Sequence, residues 1–344
     1  MKGNKIYNVA LIGFGYWGPN LARNVVDHPY FNLKFIAEKS KERQDVAKRS
    51  YSFVTFKSNH FDLTKTETFD VVVIATPVEF HFEIAKWALE LGKHVLLEKP
   101  GCGSAKQLYK LHLIAKRNEC ILMIDYTFLF NGAVRKINQI IKEDSFGKIN
   151  YIDSTRINLG IFQKDINVLW DLASHDLAII YFLTGKLPLT IKADGISHTK
   201  NGIENIAFLT LRYDDDTFIV HLNCSWTSPV KIRQMLIGGD KKMLIYNDIE
   251  PTDKIKVYDC NLNFSEMNQK EMQVDYRIGD INVPKFETKE ALSVLIDTFY
   301  ISISKIINPI SSSDFALKIA CILEAAQISI ENQGIETQVN YIFD

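Results

Sequence analysis

The stretch Val9-Ala-Leu-Ile-Gly-Phe-Gly-Tyr-Trp-Gly-Pro19 places three glycines, at positions 13, 15 and 18, between an apolar β-rich run and a helical one. That arrangement admits few folds. A strand that turns sharply into a helix needs one glycine for the turn, a second where a ligand comes against the backbone and a third where helix packs on strand. The helix start then leaves amides pointing at an anion, the geometry that holds a pyrophosphate. Gly13, Gly15 and Gly18 are therefore dinucleotide-binding candidates, and Tyr16 and Trp17 lie inside the same turn. The motif has a second part, an acid closing the next strand that accepts the ribose hydroxyls. Glu38 ends Leu-Lys-Phe-Ile-Ala-Glu in that place, 25 residues after Gly13. An acid there repels a 2′-phosphate and favours NAD, while Lys39, Ser40 and Arg43 just beyond it keep NADP open.

The rest of the first third continues in kind. Val9–Ile12, Leu33–Ala37, Val71–Ala75, His94–Leu97 and Ile121–Ile124 read as strands separated by helical periodicity, a βαβ rhythm that implies a parallel sheet. Ser104-Ala-Lys-Gln107 is a capping box, and Gly92 ends the helical stretch Glu79–Leu91. Beyond about residue 145 strands follow one another instead: Lys148–Leu159, Leu189–Ile196, Asn205–Tyr213, Thr217–Trp226, Lys231–Ile237 and Lys242–Tyr246. Asp214-Asp215-Asp216 and Gly239-Asp240 supply hairpin turns. Helical segments at Glu287–Lys305 and Ser313–Asn332 follow. The expected fold is α/β: a Rossmann dinucleotide-binding domain over residues 1–125, then an α+β domain over 126–344 with a largely antiparallel open sheet.

Composition narrows the partner. Forty basic against forty-one acidic residues leave a net charge of −1, which predicts neither nucleic acid nor an anionic membrane surface as partner. No window reaches the roughly eighteen consecutive apolar residues of a membrane span. The N-terminal apolar run passes straight into the glycine turn without a cleavage site, so no signal peptide is expected. Five scattered cysteines without a CxxC pair argue against a disulfide framework. Together these predict a cytoplasmic protein with a small-molecule ligand.

Two further motifs carry titratable chemistry. Lys93-His-Val-Leu-Leu-Glu98-Lys99-Pro100 puts a glutamate and a lysine directly after a strand, where an open α/β sheet meets its ligand; a solvated charge pair is the competing reading. Thr76 and Pro77 follow the preceding strand in the same position, and His81 beyond them suits a helix cap as well as a ligand contact. Trp170-Asp-Leu-Ala-Ser-His-Asp176 sets Asp171 and His175 four residues apart, hence on one helix face, beside an apolar stripe of Trp170, Ala173, Leu177 and Ile180. A histidine titrates in the range needed to take a hydroxyl proton while a hydride leaves carbon. Asp176 turns toward a different face and reads as structural. No third metal ligand is identifiable from spacing.

Gly-Phe-Gly-Tyr-Trp-Gly, Ala75-Thr-Pro77, GKHVLLEKP and the Asp171-xxx-His175 pair, in this order and spacing, resemble the glucose-fructose oxidoreductase and inositol dehydrogenase family, Gfo/Idh/MocA, along nearly the whole chain. GYWGPN, STRINLG (154–160), WDLASHD and SWTSPVKIR (225–233) are similar to a branch of sugar or sugar-nucleotide dehydrogenases. The resemblance implies that Lys99, Asp171 and His175 are catalytic and meet beside a nicotinamide, with His175 as base, Lys99 stabilising the developing oxyanion and Asp171 binding a neighbouring hydroxyl or orienting the histidine. It implies an NAD(P)-dependent oxidoreductase interconverting a secondary alcohol and a ketone on a sugar, cyclitol or nucleotide-linked sugar. A homodimer or homotetramer built on the open sheet is implied as well. A redox-neutral glycoside hydrolase that retains NAD and a non-catalytic dinucleotide sensor are the alternatives.

Two residues depart from the family's pattern. Many relatives carry Gly-His or Gly-Tyr after the fifth strand, whereas this chain has Asp125-Tyr126, which makes both substrate-site candidates. Ser174 replaces a proline common in the branch. Arg156, Asn158, Lys231 and Arg233 are offered by the second domain as sugar or phosphate contacts, with a solvated strand face as the competing reading.

Overall fold

A computed structural model describes residues 5–63, 68–160, 162–163, 165–264 and 274–341. The chain divides into two units, one holding the described residues up to Phe130 together with Lys289–Ala320, the other Asn131–Thr288 with Cys321–Tyr341.

The first unit contains a six-stranded parallel sheet of β1 (Tyr7–Ile12), β2 (Phe31–Ala37), β3 (Thr55–Lys57), β4 (Val71–Ile74), β5 (His94–Glu98) and β6 (Leu122–Asp125), in the order 3-2-1-4-5-6. That is the doubly wound Rossmann order, with its switch point between β1 and β4. Val71-Val-Val-Ile74 is buried at every position, as a central strand covered on both faces requires. Helices α1 (Gly18–Asp27), α2 (Lys41–Ser50), α3 (His81–Glu90) and α4 (Ala105–Arg117) connect the strands. Ser104 caps α4 by accepting the Gln107 N–H at 3.2 Å, and Gly92 takes φ 70° just past α3, as the sequence predicts. β3 escapes a pattern reading because it is three residues long and only half-buried.

The second unit holds α5 (Gly132–Ile140), α6 (Ser174–Thr184) and a nine-stranded sheet. Its strands are β7 (Ile149–Leu159), β8 (Thr190–Ile196), β9 (Ile206–Arg212), β10 (Ile219–Ser225), β11 (Thr227–Gly239), β12 (Met243–Asn247), β13 (Ile255–Phe264), β14 (Val274–Asn282) and β15 (Thr337–Gln338). Their order is 14-13-12-11-7-10-9-8-15, antiparallel throughout except where β10 runs parallel to β7. β7 shows why the sheet is open. Ile152, Ser154 and Arg156 are buried while Tyr151, Asp153 and Thr155 between them are not, the period-two alternation of a sheet covered on one face.

The division differs from the sequence boundary of 1–125 and 126–344. α7 (Ala291–Lys305) and the start of α8 (Ser313–Glu331) belong to the first unit. The cause is side-chain packing: Tyr300 of α7 stacks on Tyr30 at 5.0 Å and meets Tyr7 and Phe31 edge-on, while Glu290 takes both Arg23 Nη atoms at 2.6 and 2.9 Å.

Candidate active site

In the first unit, parallel strands bring residues distant in sequence to one edge. Gly13 leaves β1 at φ 90°, donates its N–H to Ala37 O at 2.8 Å, and a Cβ on it would stand 2.5 Å from Ala75 O, so three strand ends converge where only glycine fits. Gly18 opens α1 with its Cβ position 2.7 Å from Gly13 O, the close packing expected of the third glycine. The first turn of α1 carries no acidic side chain, which leaves its amides to an anion. Glu38 reaches back from the end of β2, its Oε2 accepting the Phe14 N–H at 2.7 Å and its Oε1 the Ser40 N–H at 2.8 Å. The acid and the glycine turn are thus one constellation. Arg43 joins it, with Nη1 3.0 Å from the Cβ position of Gly15, so a guanidinium and a carboxylate both stand at the turn. Tyr16 is the most exposed large side chain of the turn, at 87%.

Thr76 packs its methyl 3.0 Å from the Gly13 Cβ position, and its Oγ1 is buried with no hydrogen-bond partner among the described residues. Such an orphaned hydroxyl suits a polar ligand. His81 is buried, its two ring nitrogens 2.8 Å from Thr76 O and 3.0 Å from Gly101 O. It ties two loops together rather than capping α3.

Glu98 and Lys99 sit at the end of β5, before a cis Lys99–Pro100 peptide. Glu98 lies beside Asp125 of β6; burial, then the like charge of Asp125, holds its carboxyl well above the usual carboxylate range. Asp125 is buried and accepts from Trp17 Nε1 at 3.2 Å and Thr127 Oγ1 at 2.5 Å. Tyr126 is 1% exposed, meets Phe315 edge-on, and its phenol is pushed up by burial.

In the second unit, Asp171 and His175 are half-buried in an otherwise buried stretch, and Trp170, Ala173, Leu177 and Ile180 are all in the core as the stripe predicts. The helix itself differs from expectation. Leu169–Ala173 forms a π-helical turn before α6 begins, so Asp171 stands in a widened turn, a feature common at functional sites. Asp171 Oδ2 accepts the indole N–H of Trp226 at 3.0 Å. Asn158 is brought close to the same place: its Nδ2 and Trp226 Cδ1 stand 2.9 and 3.1 Å from the Cβ position of Gly160. Trp226 is the site residue that sequence reasoning missed, although SWTSPVKIR contains it.

Arg156 requires correction as a candidate sugar contact. It is 3% exposed, with Nε 3.0 and 3.1 Å and Nη2 2.6 Å from the Asp176 oxygens, so its guanidinium is committed inside the unit. Arg233 lies 3.4 Å from Asp248, and Lys231 is exposed on β11. Among the described residues no three His, Cys, Asp or Glu side chains cluster as a metal site, and no helix is long and apolar enough to cross a membrane.

A glycine turn with its acid, an orphaned hydroxyl at the next strand end and the 3-2-1-4-5-6 order define a Rossmann dinucleotide-binding protein with a second, sheet-based unit. The profile of the oxidoreductase family with an NAD-binding Rossmann fold, Gfo/Idh/MocA, matches residues 7–126, and that of the Gfo/Idh/MocA C-terminal domain matches residues 134–245. The chain belongs to the Gfo/Idh/MocA oxidoreductase family.

It is 31% identical over 131 residues to the UDP-N-acetylglucosamine 3-dehydrogenase of Acidithiobacillus ferrooxidans, 37% of this chain and 40% of that protein. It is 24% identical over 265 residues to the scyllo-inositol 2-dehydrogenase (NADP+) of Bacillus subtilis, 72% of this chain and 78% of that one. The solved structure of levoglucosan dehydrogenase in complex with NADH superposes with a TM-score of 0.82 at 18% identity, covering 98% of this chain and 100% of that one. With the first of these the chain shares less than half the relative's length.

Proposed function

We propose that the protein is an NAD(P)-dependent dehydrogenase that interconverts a secondary alcohol and a ketone on a sugar, cyclitol or nucleotide-linked sugar. The observation that carries this reading is the convergence of the Gly13–Gly18 turn, Glu38, Thr76 and Glu98-Lys99 on the carboxyl ends of one parallel sheet. Asp171 and His175 follow at the family's spacing. The dehydrogenases of a UDP-sugar and of an inositol among the similar proteins support this substrate class.

Gly13, Gly15, Tyr16, Trp17, Gly18, Glu38, Thr76, Pro77, Glu98 and Lys99 would hold the dinucleotide, which supplies the hydride acceptor. In this reading His175 takes the hydroxyl proton at an imidazole nitrogen. The Lys99 ammonium stabilises negative charge growing on the same oxygen. Asp171, held by Trp226, orients a neighbouring hydroxyl. Asn158 remains a substrate-site candidate and Lys231 stays one as an exposed cation, whereas Asp125 and Tyr126, each 1% exposed, would bear on a substrate only through the residues around them. Glu38 favours NAD, and Arg43 beside Gly15 leaves NADP accessible. We further propose a cytoplasmic homodimer or homotetramer joined through the open sheet face, where Tyr151, Phe208 and Ile219 are exposed.

The test follows nicotinamide absorbance while the protein, with NAD or NADP, meets free sugars, cyclitols and nucleotide sugars. Turnover that falls about a hundredfold or more in Lys99→Ala and His175→Ala is expected. Equal turnover in either variant overturns its assigned role.

A further inference from the structure

Glu98 and Asp125 stand opposite each other in register at the ends of β5 and β6. Asp125 is 1% exposed and Oε1 of Glu98 is buried. Two carboxylates side by side in such a place repel each other, and one takes a proton instead. The surrounding donors decide which. Both Asp125 oxygens accept from neutral donors, Oδ2 from the Trp17 indole at 3.2 Å and Oδ1 from the Thr127 hydroxyl at 2.5 Å. Oε1 of Glu98, by contrast, is buried and accepts nothing among the described residues. Asp125 is surrounded as an anion, Glu98 as an acid.

We propose that Glu98 and Asp125 hold one proton between them, carried by Glu98 and directed at Asp125, and that Asp125 is thereby a positioning residue that grips the glycine turn through Trp17. This rests on the reading of that turn as the dinucleotide site. The charged groups beside Glu98 are Asp125 on the neighbouring strand and Lys99, the next residue, just past the end of β5; Trp17 and Thr127 are neutral. One consequence concerns the turn, because Trp17 occupies the residue directly before α1 and its indole is tied to the Asp125 carboxylate. Another concerns pH. When Glu98 loses its proton the crevice wall gains a second negative charge, facing a ligand that carries an anionic pyrophosphate.

The experiment is infrared difference titration of the nucleotide-free full chain, with NAD binding measured in parallel by calorimetry. A protonated-carboxyl C=O band is expected at neutral pH, absent in Glu98→Gln, and titrating closer to the ordinary carboxylate range in Asp125→Asn because the like charge is gone. NAD affinity should fall about tenfold in Asp125→Asn, the loss of one hydrogen bond to a charged group. It should also decline at alkaline pH in the parent and stay flat in Glu98→Gln. No such band in the parent, or a band that survives Glu98→Gln, overturns the shared proton. An unshifted titration in Asp125→Asn overturns the coupling. If the band behaves as expected but no NAD binds, the pair stands and the dinucleotide reading falls instead. Glu98→Gln changes one atom, so its infrared result decides the proposal even if Asp125→Asn fails to fold.

Discussion

At the scale of single residues, the second unit depends on a contact that nothing local announces. Trp226 is buried and lends its one polar atom to Asp171, 55 residues earlier in the chain. A hydrogen bond to a carboxylate contributes roughly 1.5–3 kcal/mol, less where, as here, it is only partly buried. Trp226→Phe keeps an aromatic ring against Phe162, 5.6 Å away in the parent, and removes the indole donor together with part of the indole's volume. Steady-state kinetics of this variant should show kcat lowered about tenfold or more, with KM for the dinucleotide unchanged and its circular dichroism intact; unaltered kcat would mean that Asp171 needs no fixing. Arg156 teaches the same lesson in reverse. The sequence offered it as a sugar contact or a solvated strand position, and only the folded unit reveals that it lies on the covered face of β7 and that Asp176 waits there.

Elements are held by that pairing. Asp176 follows His175 on α6 and Arg156 lies on β7, so their ion pair, with both side chains 4% exposed, fixes the rotation of the helix that carries the candidate base. Removing one partner leaves a buried charge without its mate, at a cost of about 3–5 kcal/mol, whereas apolar residues replacing both are often tolerated. Urea unfolding of Arg156→Met should therefore show a loss of that order, and Arg156→Met with Asp176→Leu should recover most of it. A double variant no better than the single would indicate that the pair is not the cause. The π-helical turn at Leu169–Ala173 was not legible beforehand, because a four-residue spacing reads as α-helix and the extra residue is absorbed by tertiary packing. The parallel strands were legible, since Val-Val-Val-Ile and His-Val-Leu-Leu are apolar without alternation. β13 and β14 went unread, as strands near one edge of the sheet carrying many polar residues.

For the whole molecule, acid sensitivity should originate in the first unit. His28 and His94 accept backbone N–H groups, from Tyr30 at 3.3 Å and Ile121 at 3.0 Å, which only an unprotonated ring nitrogen can do. Burial lowers the pKa of both, and of His60, below the usual histidine value; Asp297 opposes the shift at His28 without reversing it. Depressed values mean that the native state binds fewer protons than the unfolded chain. This contribution is present above about pH 6.5 and is lost progressively as the pH falls below it. The urea midpoint should be lower at about pH 5.5 than at about pH 7.5, and an equal or higher midpoint would show these rings to be solvated. The sequence alone determined the parallel βαβ sheet, the glycine turn with its acid, and the change to an antiparallel sheet, because each is written in short-range spacing and period. Tertiary structure alone decided that α7 joins the first unit, that Arg156 is spent on Asp176, that Trp226 holds Asp171 and that Glu98 faces Asp125. Those outcomes depend on which side chains meet across elements, and a buried partner tens or hundreds of residues away leaves no local pattern.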